Sequence, residues 1–141
     1  MINRKIKSLK DHILSLGWLN NVKRNTIFSI ADIVVMPSFL EYFPYSILEP
    51  MISRLPVISS EIDCVKELLV ENNDCLLYET NNPGELADKI SFLINHPEQK
   101  KIIAHHAYSK VKNNFQWRTI SRMYIDMYNH VLQDNPIYKA I

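Results

Sequence analysis

The chain has 141 residues, 47% of them apolar and 22% charged, a balance that fits one folded domain with its own core. Its 16 basic and 15 acidic side chains leave a formal net charge of +1, which removes any global electrostatic case for binding nucleic acid. No apolar run approaches the ~20 residues needed to cross a bilayer, and the charged start of the chain is not followed by the apolar core of a signal peptide.

Taken in chain order, residues 12–16 read as a first strand ended by Gly17, and residues 21–30 as a short helix with asparagine available to cap its start. Ala31-Asp32-Ile33-Val34-Val35-Met36 follows, an unbroken apolar run rich in β-branched residues that stops at Pro37. It predicts a short strand buried on both faces. A helix is expected over 46–53, with Pro50 tolerated at or near its first turn, where N–H groups lack intrahelical partners. Residues 57–59 predict the next strand, Asp63 the cap of a helix reaching about Val70, and residues 75–78 a fourth strand. Short strands alternating with helices argue for a parallel α/β sheet of the doubly wound type.

The rest predicts helices. Asn82-Pro83-Gly84-Glu85 combines an asparagine cap, proline at the first helical position and a glutamate three residues after the cap, so a helix should run from there to about Asn95. Pro97 opens another, broken at Asn113-Asn114, and a last one starts near Trp117. That final helix carries Ile120, Met123, Tyr124, Met127, Tyr128 and Val131 at spacings of three and four, a stripe expected mostly in the core. Whatever part stays uncovered predicts self-association or a partner chain.

Cys64 and Cys75 have no Cys or His neighbour at metal spacing, so neither a zinc site nor a disulfide framework is expected, only free and buried thiols. His105 and His106 are adjacent, point to different helix faces and read as surface residues. Residues 1–10 carry Arg4, Lys5, Lys7 and Lys10 and no acidic side chain. Such a segment either stays solvated or touches an anionic membrane surface, at about 1 kcal/mol per residue. The expected location is the cytoplasm, with the inner membrane face as a peripheral site.

The most informative stretch is Pro37-Ser38-Phe39-Leu40-Glu41-Tyr42-Phe43-Pro44-Tyr45-Ser46-Ile47-Leu48-Glu49. It follows a strand's carboxyl end, the edge at which open parallel sheets bind ligands and at which helix N-termini offer N–H groups to phosphate. Seven residues separate Glu41 from Glu49; with a helix starting near Ser46, Glu41 stays on the loop and Glu49 falls on the first turn. An ionised carboxylate can accept two hydroxyl donors at once, as a sugar or a ribose diol would require. The alternative is that both are simply favourable charges near the positive end of a helix dipole.

Together, ADIVVMPS, the E-x-F-P with its second glutamate followed by Pro-Met, and SRLPVISS resemble the donor-binding half of the glycosyltransferase group 1 family, retaining enzymes of GT-B fold also classed as family 4. The resemblance continues through Ser59-Ser60-Glu61-Ile62-Asp63-Cys64-Val65-Lys66-Glu67, Cys75-Leu76-Leu77-Tyr78 and Phe115-Gln116-Trp117, and covers residues 14–131. It implies a Rossmann-like half of a GT-B fold, with an α/β part over 12–95 and C-terminal helices over 96–133. The chain would then be a single, incomplete nucleotide-sugar-binding domain over 1–141.

By this resemblance Glu49 bonds the nucleotide ribose and Glu41, the catalytic candidate, lies by the donor sugar. Backbone N–H groups across Phe43, Pro44, Tyr45, Ser46 and Ile47 meet the diphosphate. The implied reaction transfers a hexose from a nucleoside diphosphate sugar to a saccharide or lipid-linked acceptor with retention, without a metal or other cofactor, once an acceptor domain is supplied. The other readings are a nucleotide-sugar-binding module without turnover and an unrelated α/β interaction domain. The sequence departs from the family at Tyr42, where glycine is usual, and at Asp63-Cys64, which replace a glycine pair. The family's basic residues for the leaving diphosphate have no recognisable match here; Arg4, Lys5, Lys7 and Lys10 are the nearest cations.

Overall fold

The computed structural model describes residues 12–134, which divide between Ile30 and Ala31 into two compact units. Arg4, Lys5, Lys7 and Lys10, and with them the basic segment considered for membrane contact, lie outside the described residues.

The described part of the first unit contains the helix α1 (Asn21–Ile30). Asn20 caps it, its Oδ1 accepting the Lys23 N–H at 3.0 Å, and Gly17 turns the chain ahead of it with φ +61°. The strand expected over 12–16 does not form. Ile13, Leu14 and Leu16 are all exposed. A strand has no hydrogen bonds of its own, so an apolar run becomes one only where a neighbouring ladder receives it.

The second unit is built on three parallel strands, β1 (Val34–Met36), β2 (Val57–Ser60) and β3 (Leu76–Tyr78), paired in the order β1-β2-β3. Val34 lies opposite Val57 and Met36 opposite Ser59, while Ile58 lies opposite Leu76 and Ser60 opposite Tyr78. Between and after the strands come α2 (Tyr45–Ile52), α3 (Asp63–Leu68), α4 (Pro83–Asn95), α5 (Pro97–Asn114) and α6 (Trp117–Asp134).

Alternation along each strand sends side chains to two separate cores. Met36, Val57 and Leu77 pack on one face with Ile47, Leu48 and Met51 of α2, Val65 of α3, and Ala107 and Val111 of α5. Ile58, Leu76 and Tyr78 pack on the other with Leu86, Ile90 and Leu93 of α4 and Ile103 of α5. Both faces are therefore covered by helices, the arrangement that unbroken apolar strands demand. Successive parallel strands run the same way, so the segments leaving β1 and β2 emerge at one edge.

Capping follows the sequence at α4. Asn82 Oδ1 accepts the Glu85 N–H at 3.1 Å with Pro83 at the first helical position. The Glu85 carboxylate does not return to Asn82, however; it accepts the Glu79 N–H at 2.7 Å. The α3 start differs from expectation. Ile62, not Asp63, holds the cap position, and Asp63 is the first helical residue with its side chain 98% exposed.

Pro50 also sits deeper than the sequence suggested. It is the sixth residue of α2, beyond the first turn, and its ring is fully buried. The helix absorbs the missing donor by ending soon afterwards. Arg54 takes the left-handed conformation (φ 62°), the Leu55 N–H bonds the Pro50 carbonyl and the Arg54 N–H bonds that of Met51, both at 3.0 Å. This is a Schellman ending with arginine where glycine is usual, and the Arg54 guanidinium rests 4.3 Å from the centre of the Tyr108 ring on α5. The same guanidinium, with Lys112, holds the Tyr108 hydroxyl below its ordinary pKa.

The apolar stripe of α6 is not core. Ile120 is half-buried and Met123, Tyr124, Met127, Tyr128 and Val131 are exposed. Periodicity reports that a helix has an apolar face, not that a neighbour covers it.

Candidate functional site

The loop between β1 and α2 and the segment between β2 and α3 face each other across a cleft of about 490 Å³ at the carboxyl edge of the sheet. Phe39, Leu40 and Glu41 line it from one side, and Glu61, Ile62, Asp63, Cys64 and Glu67 from the other. This is where an open α/β sheet receives a ligand, because the strands end there and the next helices begin.

Glu41 is held in place. The Ser38 hydroxyl donates to Glu41 Oε1 at 2.9 Å, and the Ser38 backbone is itself anchored, its carbonyl accepting the hydroxyl of buried Ser60 at the end of β2. Glu49 stands on a different element. It is half-buried as the fifth residue of α2, one position further along the helix than the sequence suggested, because the helix begins at Tyr45 rather than Ser46. It is not among the residues lining the cleft. Of the two carboxylates, the one on the loop lines the cleft and the one on the helix does not.

Between them the chain makes a tight turn. Pro44 has φ −83° and ψ 72°, and the Tyr45 N–H bonds the Phe43 carbonyl at 2.9 Å, an inverse γ-turn. Pro44 then occupies the cap position of α2 and brings no side-chain cap. Its carbonyl accepts from Ile47 at 2.9 Å and Leu48 at 3.2 Å. Of the expected phosphate-binding stretch, Pro44 has no N–H and the Tyr45 and Ile47 donors are already engaged. The Phe43 and Ser46 N–H groups have no acceptor among the described residues. The Ser46 hydroxyl turns back to Met36 Sδ at 3.0 Å.

Tyr42 finds room without glycine's freedom. Its side chain is 94% exposed, and positive φ among non-glycine residues is confined to Arg54, Asn72 and Asn81 within the described chain. The cleft is strongly acidic, with Glu41, Glu61, Asp63 and Glu67 all lining it. Lys66 offsets part of this charge from 3.5 Å to Glu61 and 3.8 Å to Asp63. Both contacts are solvent-exposed, so they stabilise little. Among the described residues no three His, Cys, Asp or Glu side chains gather as a metal-ion cluster.

Ser38, Ser60, Glu61 and Glu67 were not singled out by the sequence. Ser38 had a signal: a hydroxyl three residues before a glutamate in a loop is well placed for a local side-chain bond. Ser60 had one too, as a hydroxyl ending an apolar strand. The thiols divide as their positions dictate. Cys64 is half-buried at the cleft wall, whereas Cys75 is buried and pushed up to about 12 by its desolvation and then by the charge of Asp74.

Beyond the turn lies a second, apolar surface. Phe43, Tyr45 and Leu48 join Phe115, Trp117, Ile120, Met123, Tyr124 and Met127 around a groove of about 780 Å³. The Phe43 ring meets that of Tyr45 edge-on at 5.0 Å and that of Phe115 at 6.4 Å.

Residues 4–110 match the model of the glycosyl transferases group 1 family. The chain belongs to that family. Among its curated relatives, an uncharacterized glycosyltransferase of Methanocaldococcus jannaschii is 29% identical over 115 residues, which are 82% of this chain and 32% of that protein. The UDP-Gal:alpha-D-GlcNAc-diphosphoundecaprenol alpha-1,3-galactosyltransferase of Escherichia coli is 31% identical over 126 residues, covering 85% of this chain and 31% of the other. The family member described here thus spans about a third of the length of these relatives. Its fold is that of the GT-B structures, as in Anabaena HepE in complex with UDP, with a TM-score of 0.84 at 21% identity over 92% of this chain and 36% of that one. No described helix is long and apolar enough to cross a membrane.

Proposed function

We propose that this chain is the donor-binding domain of a retaining glycosyltransferase, and that the cleft after β1 receives the sugar of a nucleoside diphosphate sugar. The observation that carries the reading is Glu41 fixed by Ser38 at the carboxyl edge of the sheet, beside a helix start that no side chain caps. In this reading Glu41 accepts hydroxyl donors of the sugar, Glu49 accepts those of the ribose, and the Phe43 and Ser46 N–H groups donate to the diphosphate, where the positive end of α2 favours anionic charge. The binding of UDP, and in another crystal UDP-glucose, by Anabaena HepE supports this assignment by analogy of fold.

The transferred group would be a hexose and the acceptor a saccharide or a lipid-linked saccharide, the latter supported by the undecaprenol-linked substrate named for the Escherichia coli relative. The reading calls for no metal or other cofactor. It calls for an acceptor domain, and for work in the cytoplasm or at the inner face of the membrane. The exposed face of α6 is then the surface for self-association or for a partner chain; a monomer mass that does not change with concentration would count against it.

Titration calorimetry with UDP-, GDP- and ADP-sugars tests the donor site. At least one should bind, and Glu49→Ala should weaken it by about tenfold or more, as removal of an acceptor that is itself charged predicts. No binding by any of them would leave the reading as an interaction domain. A second reading, binding without turnover, is favoured by the acidic lining of the cleft, in which no described residue offers a cation to a leaving diphosphate. Release of nucleoside diphosphate in the presence of saccharide or lipid-linked acceptors separates the two.

A further inference from the structure

We propose that Ser38 is a positioning residue for Glu41, and that Ser60 extends this control into the sheet. The inference rests on the donor-site reading above and deepens it by naming what fixes the sugar-facing carboxylate.

Three consecutive contacts carry it. The Ser60 hydroxyl, 1% exposed at the last position of β2, donates across to the Ser38 carbonyl, with the Met36 carbonyl 3.4 Å away. Ser60 therefore ties the first residues beyond β1 to the neighbouring strand. Ser38, its backbone so held, donates its own hydroxyl to Glu41 Oε1 at 2.9 Å. Glu41 lies on irregular backbone between exposed Leu40 and exposed Tyr42, so its immediate neighbours do not pack it in place. A glutamate there has several rotamers open to it, and a hydroxyl-to-carboxylate bond selects one.

The bond does a second thing. It occupies one lone pair of Oε1 and leaves Oε2 and the remaining Oε1 site to hydroxyl donors in the cleft. Ser38 would act on the sugar only through Glu41, and the nucleotide half of the donor should not sense it.

That separation makes the test. Ser38→Ala, Ser38→Thr, Glu41→Ala and the double variant Ser38→Ala/Glu41→Ala would be titrated with UDP-glucose, GDP-mannose and ADP-glucose, and with UDP, GDP and ADP alone. For the nucleotide sugar that the wild type binds, Ser38→Ala should weaken affinity on the order of threefold to tenfold, with the bare nucleoside diphosphate unaffected. Ser38→Thr, which keeps the hydroxyl, should restore most of the loss, and Ser38→Ala should add nothing in the Glu41→Ala background. Equal weakening of sugar and bare nucleotide, or an additive effect in the double variant, would overturn the proposal.

Ligand-free crystal structures of the two Ser38 variants provide a readout independent of binding. The Glu41 carboxylate should leave its position in Ser38→Ala and keep it in Ser38→Thr. An unmoved carboxylate in Ser38→Ala overturns the positioning role whatever binds. A displaced carboxylate in a chain whose wild type binds none of these nucleotides keeps the contact but overturns the donor reading, and with it the purpose assigned to Ser38.

Discussion

The loop after β1 and the start of α2 divide their side chains between two unlike surfaces. Phe39 to Glu41 wall an acidic cleft, while Phe43 and Tyr45, a few residues on, wall an aromatic groove. The cleft is set by elements whose other sides are locked into the cores, with Met36, Val57, Ile47 and Val65 all buried beneath it. The groove depends on α6, along which residues 121–132 are exposed without exception. One surface is therefore rigidly backed and suited to orienting a small polar ligand. The other is apolar area that no described residue covers, suited to a macromolecular contact.

If that contrast is right, disturbing the buried contacts that hold the sheet to its helices should cost far more stability than disturbing α6. The largest effect is expected at Asp74, 1% exposed, whose carboxylate accepts the Val70 N–H at 2.7 Å and pairs with Lys110 at 2.6 Å. It ties the turn before β3 to α5. Asp74→Ala should destabilise the chain by about 3 kcal/mol, because it strands a half-buried ammonium and a backbone donor together; a urea midpoint reads it, and Asp74→Asn should recover part of the loss.

A smaller loss is expected at the α4 cap. Asn82→Ala should cost about 1 kcal/mol by the same measurement, without changing nucleotide affinity, since α4 packs with Ile58 and Leu76 on a face of the sheet rather than at the cleft.

The pH response of the buried thiol is narrower still. In the folded chain Cys75 is raised from 9.0 to about 12. Between those values the unfolded chain loses a proton that the folded chain keeps, so this contribution is complete below pH 9 and declines as pH rises toward 12. Wild type should lose more stability than Cys75→Ala across that interval, and Cys75 should resist alkylation at pH 8 while Cys64 reacts. The smallest effect is expected on α6. Tyr124→Ser and Met127→Ser should each move the midpoint by no more than about 0.5 kcal/mol; a large loss would mean that the groove is already serving this chain's own fold.

Much of this was legible in the sequence. The apolar run 33–36, the Asn82-Pro83 start and the break after Asn114 all appear where local patterns put them, because capping, proline geometry and strand burial act over a few residues. Where the expectations failed, a distant partner decided. Residues 12–16 had a strand's composition but no ladder, Asp63 had a cap's chemistry but one position too late, and Pro50 was accommodated by a helix ending that also uses the Tyr108 ring.

The sequence by itself determined the family, the alternation of parallel strands and helices, and the presence of two glutamates near a strand's carboxyl end, since these depend on residue identity and short-range spacing. Only the tertiary structure decided that Glu41 is gripped by Ser38 and backed by Ser60, that Glu61, Asp63 and Glu67 share its cleft, and that the α6 stripe lies open. The Ser38–Glu41 bond is local, but Ser60 meets Ser38 from 22 positions away because of the register of β1 on β2, and no local pattern encodes a register.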